Sequence, residues 1–389
     1  MTTLHPKKRA AIQHQLLKWF DEHKRDLPWR ATHQSDTHTR NPYHVWLAEI
    51  MLQQTQVATV IPYFQRWLHR FPTLQTLAAA PLDDVLKQWE GLGYYSRARN
   101  FHKAAQHVMN ALDGEIPQTV EGLLKLPGIG RYTAGAIASL AFGQDEPILD
   151  GNVKRVFSRL FVLSDKPLAM SNELWELSEA LLPKGRAGEF NEAVMDLGAT
   201  ICTPRAPNCQ YCPLQTHCMA HAQGTPDAYP IKPAKKTTPH KNLGVLVLFN
   251  AQGQALLGQR QLDGLLGGLW EFVSGEISDE ATLPLLGGSL ASAVQRAVAQ
   301  QTGLQVEVNE TDFIGTVKHA FTHFKITKHV FGVRLATSPN VPANPASYLQ
   351  LKWVKLDEIK NLALTRSDQK ILAMLKTSQQ SGFQALAGY

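Results

Sequence analysis

The sequence predicts a multidomain chain, with an all-α region over residues 1–221 and an α+β region over residues 242–389. Three observations predict it. Through residue 221 the apolar residues recur at helical spacing in short stretches, separated by Pro28, Pro42, Pro62, Pro72, Pro81, Gly91, Gly93, Pro117 and Pro127. Residues 222–241, AQGTPDAYPIKPAKKTTPHK, then turn rich in Pro, Lys and Thr without apolar periodicity, which is the composition of a linker. Beyond it LGVLVLF, QALLGQR and FKITKHVFGVRL read as strands, with NAQG at 250–253 as a hairpin turn and helices over 289–302 and 366–376.

At 389 residues the chain is long enough for two or three domains, each with its own core. It is 44% hydrophobic and 19% charged, and no apolar run approaches a membrane-spanning length, so no membrane is expected as a partner. The net charge of +6 suits a polyanionic partner. All four cysteines fall between Cys202 and Cys218, so no disulfide framework spans the chain. A reducing compartment follows, cytoplasmic and nucleoid-associated if the source is bacterial. The first twenty residues are basic and carry no acid, as transit peptides do. Ile12, Leu16, Leu17 and Phe20 fall on one helical face there, however, and an amphipathic helix is the preferred reading. A monomer is expected, and no protein partner is indicated.

The stretch LPGIGRYTAGAIASLAFGQDEPILDGNVKR, residues 126–155, is the one around which the helical region is organised. Thr119 to Lys125 reads as the end of a helix broken by Pro127 and Gly128. Gly128 and Gly130 allow a sharp turn that exposes backbone N–H groups, and a helix beginning at about Arg131 adds its own N-terminal donors. Such a turn accepts an anion, and a nucleic-acid phosphate is the natural candidate. Asp150 stands at the mouth of the next helix, where a capping role is the ordinary reading.

Asn41 and Pro42 form a strong helix start, and the helix is expected to run through YHVWLAEIMLQQTQ. Glu49 lies within it, four residues before Gln53 and among Trp46, Leu47, Ile50, Met51 and Leu52. A carboxyl group in that company has a raised pKa, as a general acid needs. Cys202, Cys209, Cys212 and Cys218 make a C-x6-C-x2-C-x5-C pattern, which favours metal ligation. Spacing alone does not separate zinc from iron.

LPGIGRYTAGAI followed by ILDGNVKRV resembles the helix–hairpin–helix and catalytic aspartate of the endonuclease III superfamily of DNA glycosylases. PYHVWLAEIMLQQTQV, DLPWR at 26–30 and GLGYYSRARN at 91–100 resemble one branch of it, the MutY-type adenine DNA glycosylases. The resemblance covers nearly all of residues 20–220. It implies a helix–hairpin–helix part over about 31–145 and a cluster-bearing part built from the N-terminus and about 146–221. It also implies that the four cysteines hold a [4Fe–4S] cluster, in a structural or DNA-docking role rather than as a Lewis acid.

For the chemistry, the resemblance implies that Glu49 protonates the departing adenine and that Asp150 stabilises the cationic sugar, with Tyr132 and Asn152 beside it. The logic is that of paired carboxylates in glycoside hydrolysis. Trp29, Arg30 and Glu192 match the adenine pocket. Gln54 and Tyr94 match residues that wedge into the duplex as the base leaves its stack, and Thr55 and Leu92 match contacts to the opposing base. Lys154 reads as a phosphate contact. Bifunctional relatives carry a lysine after G-x-G-R that forms an imine with the sugar; here that residue is Tyr132, which implies a monofunctional enzyme.

In the C-terminal region, GGLWEFVSGE at 267–276 and RAVAQQTGL at 296–304 resemble a Nudix domain. Its acidic ligand positions are Ala297, Gln300 and Gln301, so the carboxylates that magnesium-assisted pyrophosphate hydrolysis needs are missing. The implied role is recognition of 8-oxoguanine opposite the adenine, through Phe321-Thr322-His323 where the family has Phe-Ser-His. Residues 277–290 depart from the Nudix spacing. The expected partner is double-stranded DNA with adenine opposite 8-oxoguanine or guanine. Three rivals remain at this point: a glycosylase/lyase on oxidised pyrimidines, a non-enzymatic iron–sulfur DNA sensor, and a nucleotide pyrophosphohydrolase.

Overall fold

The N-terminal helices are α1 (Pro6–His23), α2 (Pro42–Leu52), α3 (Val57–Arg70), α4 (Leu74–Ala79), α5 (Leu82–Trp89), α6 (Ser96–Ala111), α7 (Val120–Leu123) and α8 (Arg131–Phe142). They are followed by α9 (Gly151–Phe161), α10 (Met170–Leu181), α11 (Ala187–Thr200) and α12 (Met219–Ala222). The strands are β1 (His240–Phe249), β2 (Ala255–Arg260), β3 (Trp270–Phe272), β4 (Ser274–Ile277), β5 (Phe313–Ala320), β6 (Lys325–Arg334) and β7 (Tyr348–Val354). Two further helices, α13 (Leu290–Thr302) and α14 (Arg366–Gln380), accompany them. This computed structural model describes residues 5–30, 40–163, 170–231, 237–277, 288–343 and 345–380. By packing, the chain forms two units, one of Met1–Ala79 with Asn100–Lys235 and one of Ala80–Arg99 with Lys236–Tyr389.

The first unit is helical and has two centres of packing. One is aromatic: Trp46 meets the edge of Phe101 at 4.8 Å, and Trp67 stacks on the same ring at 6.0 Å. Its polar atoms are satisfied internally, since the Trp67 indole donates to the Tyr43 hydroxyl and that hydroxyl donates to the Phe71 carbonyl, both at 2.9 Å. In the other centre, Ile12, Leu16, Leu17 and Phe20 of α1 pack with Val156, Phe157 and Leu160 of α9, Leu174 and Leu177 of α10, and Phe190 and Leu197 of α11. The apolar face read from the sequence of α1 is therefore buried.

Local structure departs from the sequence reading at three places. α2 begins as expected, with the Asn41 side chain accepting from the Tyr43 and His44 N–H groups, but it ends at Leu52 rather than continuing through Gln56. Gln54 has a left-handed backbone (φ 58°), which no α-helix tolerates, and α3 starts three residues later. Pro62 does not separate helices but lies inside α3. Burial of Val60, Phe64 and Trp67 along that helix outweighs the roughly 3 kcal/mol that an interior proline costs. Thr119 to Lys125 forms only the single turn of α7, capped by the Thr119 hydroxyl.

The second unit is built around β1. The sheet order is β3-β2-β1-β6-β5, with β4 also paired to β1 and β7 to β2. β1 runs parallel to β6, from His240 opposite Lys325 to Phe249 opposite Arg334. Both faces of β1 are covered. Val245, Val247 and Phe249 pack with Ile371, Leu372 and Leu375 of α14, while Leu246 and Leu248 pack with Val294, Ala297 and Val298 of α13. The predicted helices begin where the sequence places them: Ser289 caps α13, Gly303 ends it at φ 76°, and α14 starts at Arg366. Asn250 closes the β1–β2 hairpin by accepting from the Gln252 and Gln254 N–H groups. Of the irregular insert at 277–290, residues 278–287 lie outside the described residues.

Two glycines set how closely α11 approaches its neighbours. A Cβ on Gly188 would lie 2.6 Å from the Ser139 carbonyl oxygen of α8, and one on Gly198 would lie 2.6 Å from the Asn152 Cβ of α9. Backbone cannot yield as a side-chain tip can. Gly188→Ala is therefore expected to lower stability by about 1–3 kcal/mol despite alanine's better helix propensity, read as a reduced denaturation midpoint.

Candidate active site

α2, α8, α9 and α11 surround a cavity of ≈ 880 Å³. Ten of the residues singled out in the sequence line it: Trp29, Arg30, Glu49, Gln54, Thr55, Tyr132, Asp150, Asn152, Lys154 and Glu192. They come from five separated stretches of chain, brought together within the first unit. The volume is within the range of pockets that enclose a small organic ligand.

Glu49 is buried on α2, and the Tyr132 hydroxyl of α8 donates to its Oε2 at 2.5 Å. Burial is the main influence on its proton affinity. Together with the charges of Asp150 and Glu192, it outweighs the Tyr132 hydrogen bond and the Arg30 charge and pushes the pKa up to about 7. The phenol is held protonated, first by its own burial and then by the charges of Glu49 and Asp150, so it remains a donor. Glu192 on the cavity wall and Asp196, one helical turn behind it, are treated differently. Arg40 grips Glu192 with both guanidinium ends, at 2.6 and 2.8 Å, and Arg30 donates to it at 2.9 Å. Arg30 also donates to both oxygens of Asp196, which Arg25 holds from the other side. Burial opposes the Asp196 charge, yet these arginines keep its carboxyl below the usual range.

Asp150 is the N-cap of α9, its Oδ1 accepting from the Val153 N–H at 2.7 Å. Its Oδ2 accepts from the Asn152 amide at 2.9 Å. Burial raises the Asp150 pKa, while these donors and the Arg155 charge restrain the rise. Arg155 supports the arrangement from behind, donating to Asn152 Oδ1 at 2.8 Å, to the Gly198 carbonyl at 2.7 Å and to the Cys202 carbonyl at 2.7 Å. Trp29 is buried with its ring edge-on to Phe64, whose ring also meets His44, so its plane is fixed by packing.

The remaining predicted residues form three further groups. At the hairpin, Gly128 takes φ 79°, and any Cβ there would meet the Asn100 Cβ at 2.6 Å, so glycine is required twice over. Gly130 is the N-cap of α8 and no side chain caps that helix, which leaves first-turn N–H groups available to an anion. The four cysteines are unbridged and line one small cavity with Arg159, whose guanidinium donates to the Cys202 Sγ at 3.3 Å. In the second unit, Phe321, Thr322 and His323 make the turn between β5 and β6, closed by the Phe321 N–H on the Phe324 carbonyl. Leu92 and Tyr94 belong to that unit too; Leu92 is buried and Tyr94 is exposed.

Sequence reasoning overlooked Arg25, Arg40, Asp196 and Arg155. Two had a readable signal: Asp196 follows Glu192 by one helical turn, and Arg155 follows Asn152 by three residues. Arg25 and Arg40 are basic residues in irregular chain, and nothing local marks them.

A helical unit with an anion-accepting hairpin and two acids on one cavity, joined to a sheet unit, defines a helix–hairpin–helix DNA base-excision protein carrying a Nudix-type domain. Residues 47–180 match the HhH-GPD superfamily of base excision DNA repair proteins, and residues 244–374 match the NUDIX domain. A thermostable thymine-DNA glycosylase superposes with a TM-score of 0.50 at 32% identity, over 56% of this chain and 98% of that one. The adenine DNA glycosylase of Rattus norvegicus is 37% identical over 93% of this chain and 77% of its own length. That of Homo sapiens is 36% identical over 95% and 75%, and that of Buchnera aphidicola 33% over 93% and 96%. The chain belongs to the adenine DNA glycosylases.

The Glu49 environment has a thermodynamic consequence. A carboxyl whose pKa is about 7 when folded, against about 4.5 when exposed, binds more protons in the native state, so its burial costs stability as pH rises through that window. Glu49→Gln removes the cost. The variant should melt with wild type at pH 4 and gain on the order of 3 kcal/mol over it above about pH 8, at 1.36 kcal/mol per pKa unit. Equal melting temperatures at both extremes would refute the assignment of a buried, titrating Glu49.

Proposed function

We propose that the protein hydrolyses the N-glycosidic bond of adenine standing opposite 8-oxoguanine or guanine in double-stranded DNA, initiating base excision repair. The observation that carries this reading is the placement of Glu49 and Asp150 on one cavity large enough to admit a nucleobase. Glu49, with a pKa near neutrality, is suited to donate a proton to N7 of the extruded adenine and so improve the leaving group. Asp150, oriented by the Val153 N–H and the Asn152 amide, presents its carboxylate to the positive charge that develops on the sugar. Tyr132 keeps Glu49 in place, and Trp29, Arg30 and Glu192 supply a flat wall and polar edges for the base. Water then completes hydrolysis, with Glu49 returning as base. Gln54 and Tyr94 wedge into the duplex, Thr55, Leu92 and Phe321–His323 act on the opposing base, and Lys154 and the Gly128–Gly130 hairpin contact phosphate.

The reading is monofunctional because the position that would need an amine nucleophile holds Tyr132, a phenol engaged with Glu49. The four cysteines fit a [4Fe–4S] cluster. They are free and line one cavity, so the chain itself would supply all four thiolates that such a group needs. Cys202, Cys209, Cys212 and Cys218 would hold the group, which would cross-link the 202–218 loop next to the Cys202 carbonyl that Arg155 grips.

The test is single-turnover adenine release from duplexes carrying adenine opposite 8-oxoguanine, guanine, cytosine and thymine. Release should be fastest opposite 8-oxoguanine, fall as pH rises above about 7 with loss of the Glu49 proton, and drop at least ~100-fold in Glu49→Gln. Borohydride should trap no stoichiometric covalent adduct; robust trapping with strand scission would indicate the lyase instead. Metal analysis of the purified protein should find iron with broad visible absorption, and stoichiometric zinc would refute the cluster.

A further inference from the structure

Glutamate turns about three side-chain bonds, so the plane of a glutamate carboxyl in a cavity wall is set by its donors. Two arginines reach Glu192, and they are not equivalent. Arg30 commits most of its fork elsewhere: Nη1 donates to Asp196 Oδ2 at 2.8 Å and to the Arg25 carbonyl at 3.1 Å, and Nη2 donates to Asp196 Oδ1 at 2.9 Å. Asp196 is fully buried and also accepts from the Arg25 N–H, Nε and Nη2 at 3.2, 2.8 and 2.6 Å, so Arg30 is anchored to it. Only the Arg30 Nε is left for Glu192, a single bond about which a carboxylate can pivot.

Arg40 removes that freedom. Its Nη1 donates to Glu192 Oε1 at 2.6 Å and its Nη2 to Oε2 at 2.8 Å, a two-point contact that fixes the carboxylate plane. Among the described residues Arg40 is the sole donor to Oε2. A carboxylate oxygen accepts more than one hydrogen bond, so Oε2 keeps capacity for a donor in the cavity that Glu192 lines. The pair is sheltered, with 19% of the Arg40 side chain and 3% of the Glu192 side chain exposed, so solvent screens it weakly. Arg40 also stands directly before Asn41, the N-cap of α2, and Glu49 follows nine residues later. The ion pair therefore clasps the mouth of α2 to α11, the two helices that bring Glu49 and Glu192 to one cavity.

We propose that Arg40 is a positioning residue for the adenine pocket: it locks the Glu192 carboxylate in one plane on the cavity wall, with Oε2 open to a donor of the base, and balances its charge beside Glu49. The proposal rests on the reading of Glu192 as part of that pocket. The groups facing Glu49 are Tyr132 of α8, Asp150 at the mouth of α9, Glu192 of α11, and Arg30. Without the Arg40 charge, the field of Glu192 at Glu49 is less compensated and Glu49 keeps its proton to higher pH.

The experiment compares Arg40→Lys, Arg40→Gln, Glu192→Gln and the double variant Arg40→Gln/Glu192→Gln in the full-length protein, by single-turnover adenine release across pH. Arg40→Lys keeps the charge and loses the fork; its rate should fall about tenfold or more with the alkaline limb of the pH profile in place. Arg40→Gln should lose at least as much and move that limb upward by roughly half a pH unit. In the Glu192→Gln background Arg40→Gln should change the rate by no more than about twofold, since Arg40 acts through Glu192. A single-turnover rate and the position of a pH limb do not depend on the fraction of molecules folded, so partial misfolding does not imitate these results. An Arg40→Lys rate equal to wild type, losses that multiply in the double variant, or an alkaline limb unmoved in Arg40→Gln would each overturn the proposal. The Glu49 midpoint is also read without substrate, from its carboxyl-carbon NMR shift, with Glu49→Gln to assign the signal. A wild type that releases no adenine would sink the proposed function, while a Glu49 midpoint raised in Arg40→Gln and unchanged in Arg40→Lys would still support the Arg40 charge placement, and an unmoved one would overturn it.

Discussion

The site depends on an unequal distribution of cations among buried acids. Three arginines, Arg25, Arg30 and Arg40, are committed to Glu192 and Asp196, and Glu49 receives a phenol instead. Charge pairing favours the carboxylate, whereas burial beside a neutral donor favours the acid. The cavity therefore holds one carboxyl that can give up a proton near neutral pH, beside acids that are pinned in place. Exchanging the partners of Glu49 and Glu192 would leave the composition of the cavity unchanged and remove the raised proton affinity of Glu49.

Asp150 shows how an ordinary structural role and a place on the cavity wall coincide. A helix N-cap is a carboxylate already oriented by backbone N–H, so pointing it into a cavity requires only that the helix mouth open there. Gly198 permits α11 to approach the first turn of α9, and Arg155 fills the space behind with bonds to Asn152, Gly198 and Cys202. The cysteine loop thereby stands one guanidinium and one amide away from the Asp150 carboxylate.

The C-terminal unit keeps the architecture of a Nudix domain while its helix carries Ala297 at a ligand position, packed so closely on Gly275 that the interface admits little more than a methyl group. With the carboxylates absent, the distinctive features of that unit are its turns. The β5–β6 turn is one, and the Gly91–Tyr95 turn, distant in sequence, is built into the same unit.

The sequence by itself determined the local elements and the types of residue that meet at the cavity. The Asn41 cap, the apolar face of α1, the Gly128 turn, the Asp150 helix mouth and the spacing of four cysteines are all short-range signals, because caps, turns and periodicity act over a few residues. Glu49 was legible because its neighbours in the chain are apolar, and Tyr132 because a motif places it. The end of α2 at Leu52 and the survival of α3 through Pro62 were not legible, since contacts distant in sequence overrode propensity at both. Only the tertiary structure decided which arginine serves which acid, that Tyr132 meets Glu49 across 83 positions, and that Tyr94 reaches Thr322 across 228. Such pairings are set by how helices and strands pack, and a guanidinium in irregular chain carries no mark of the carboxylate it will find.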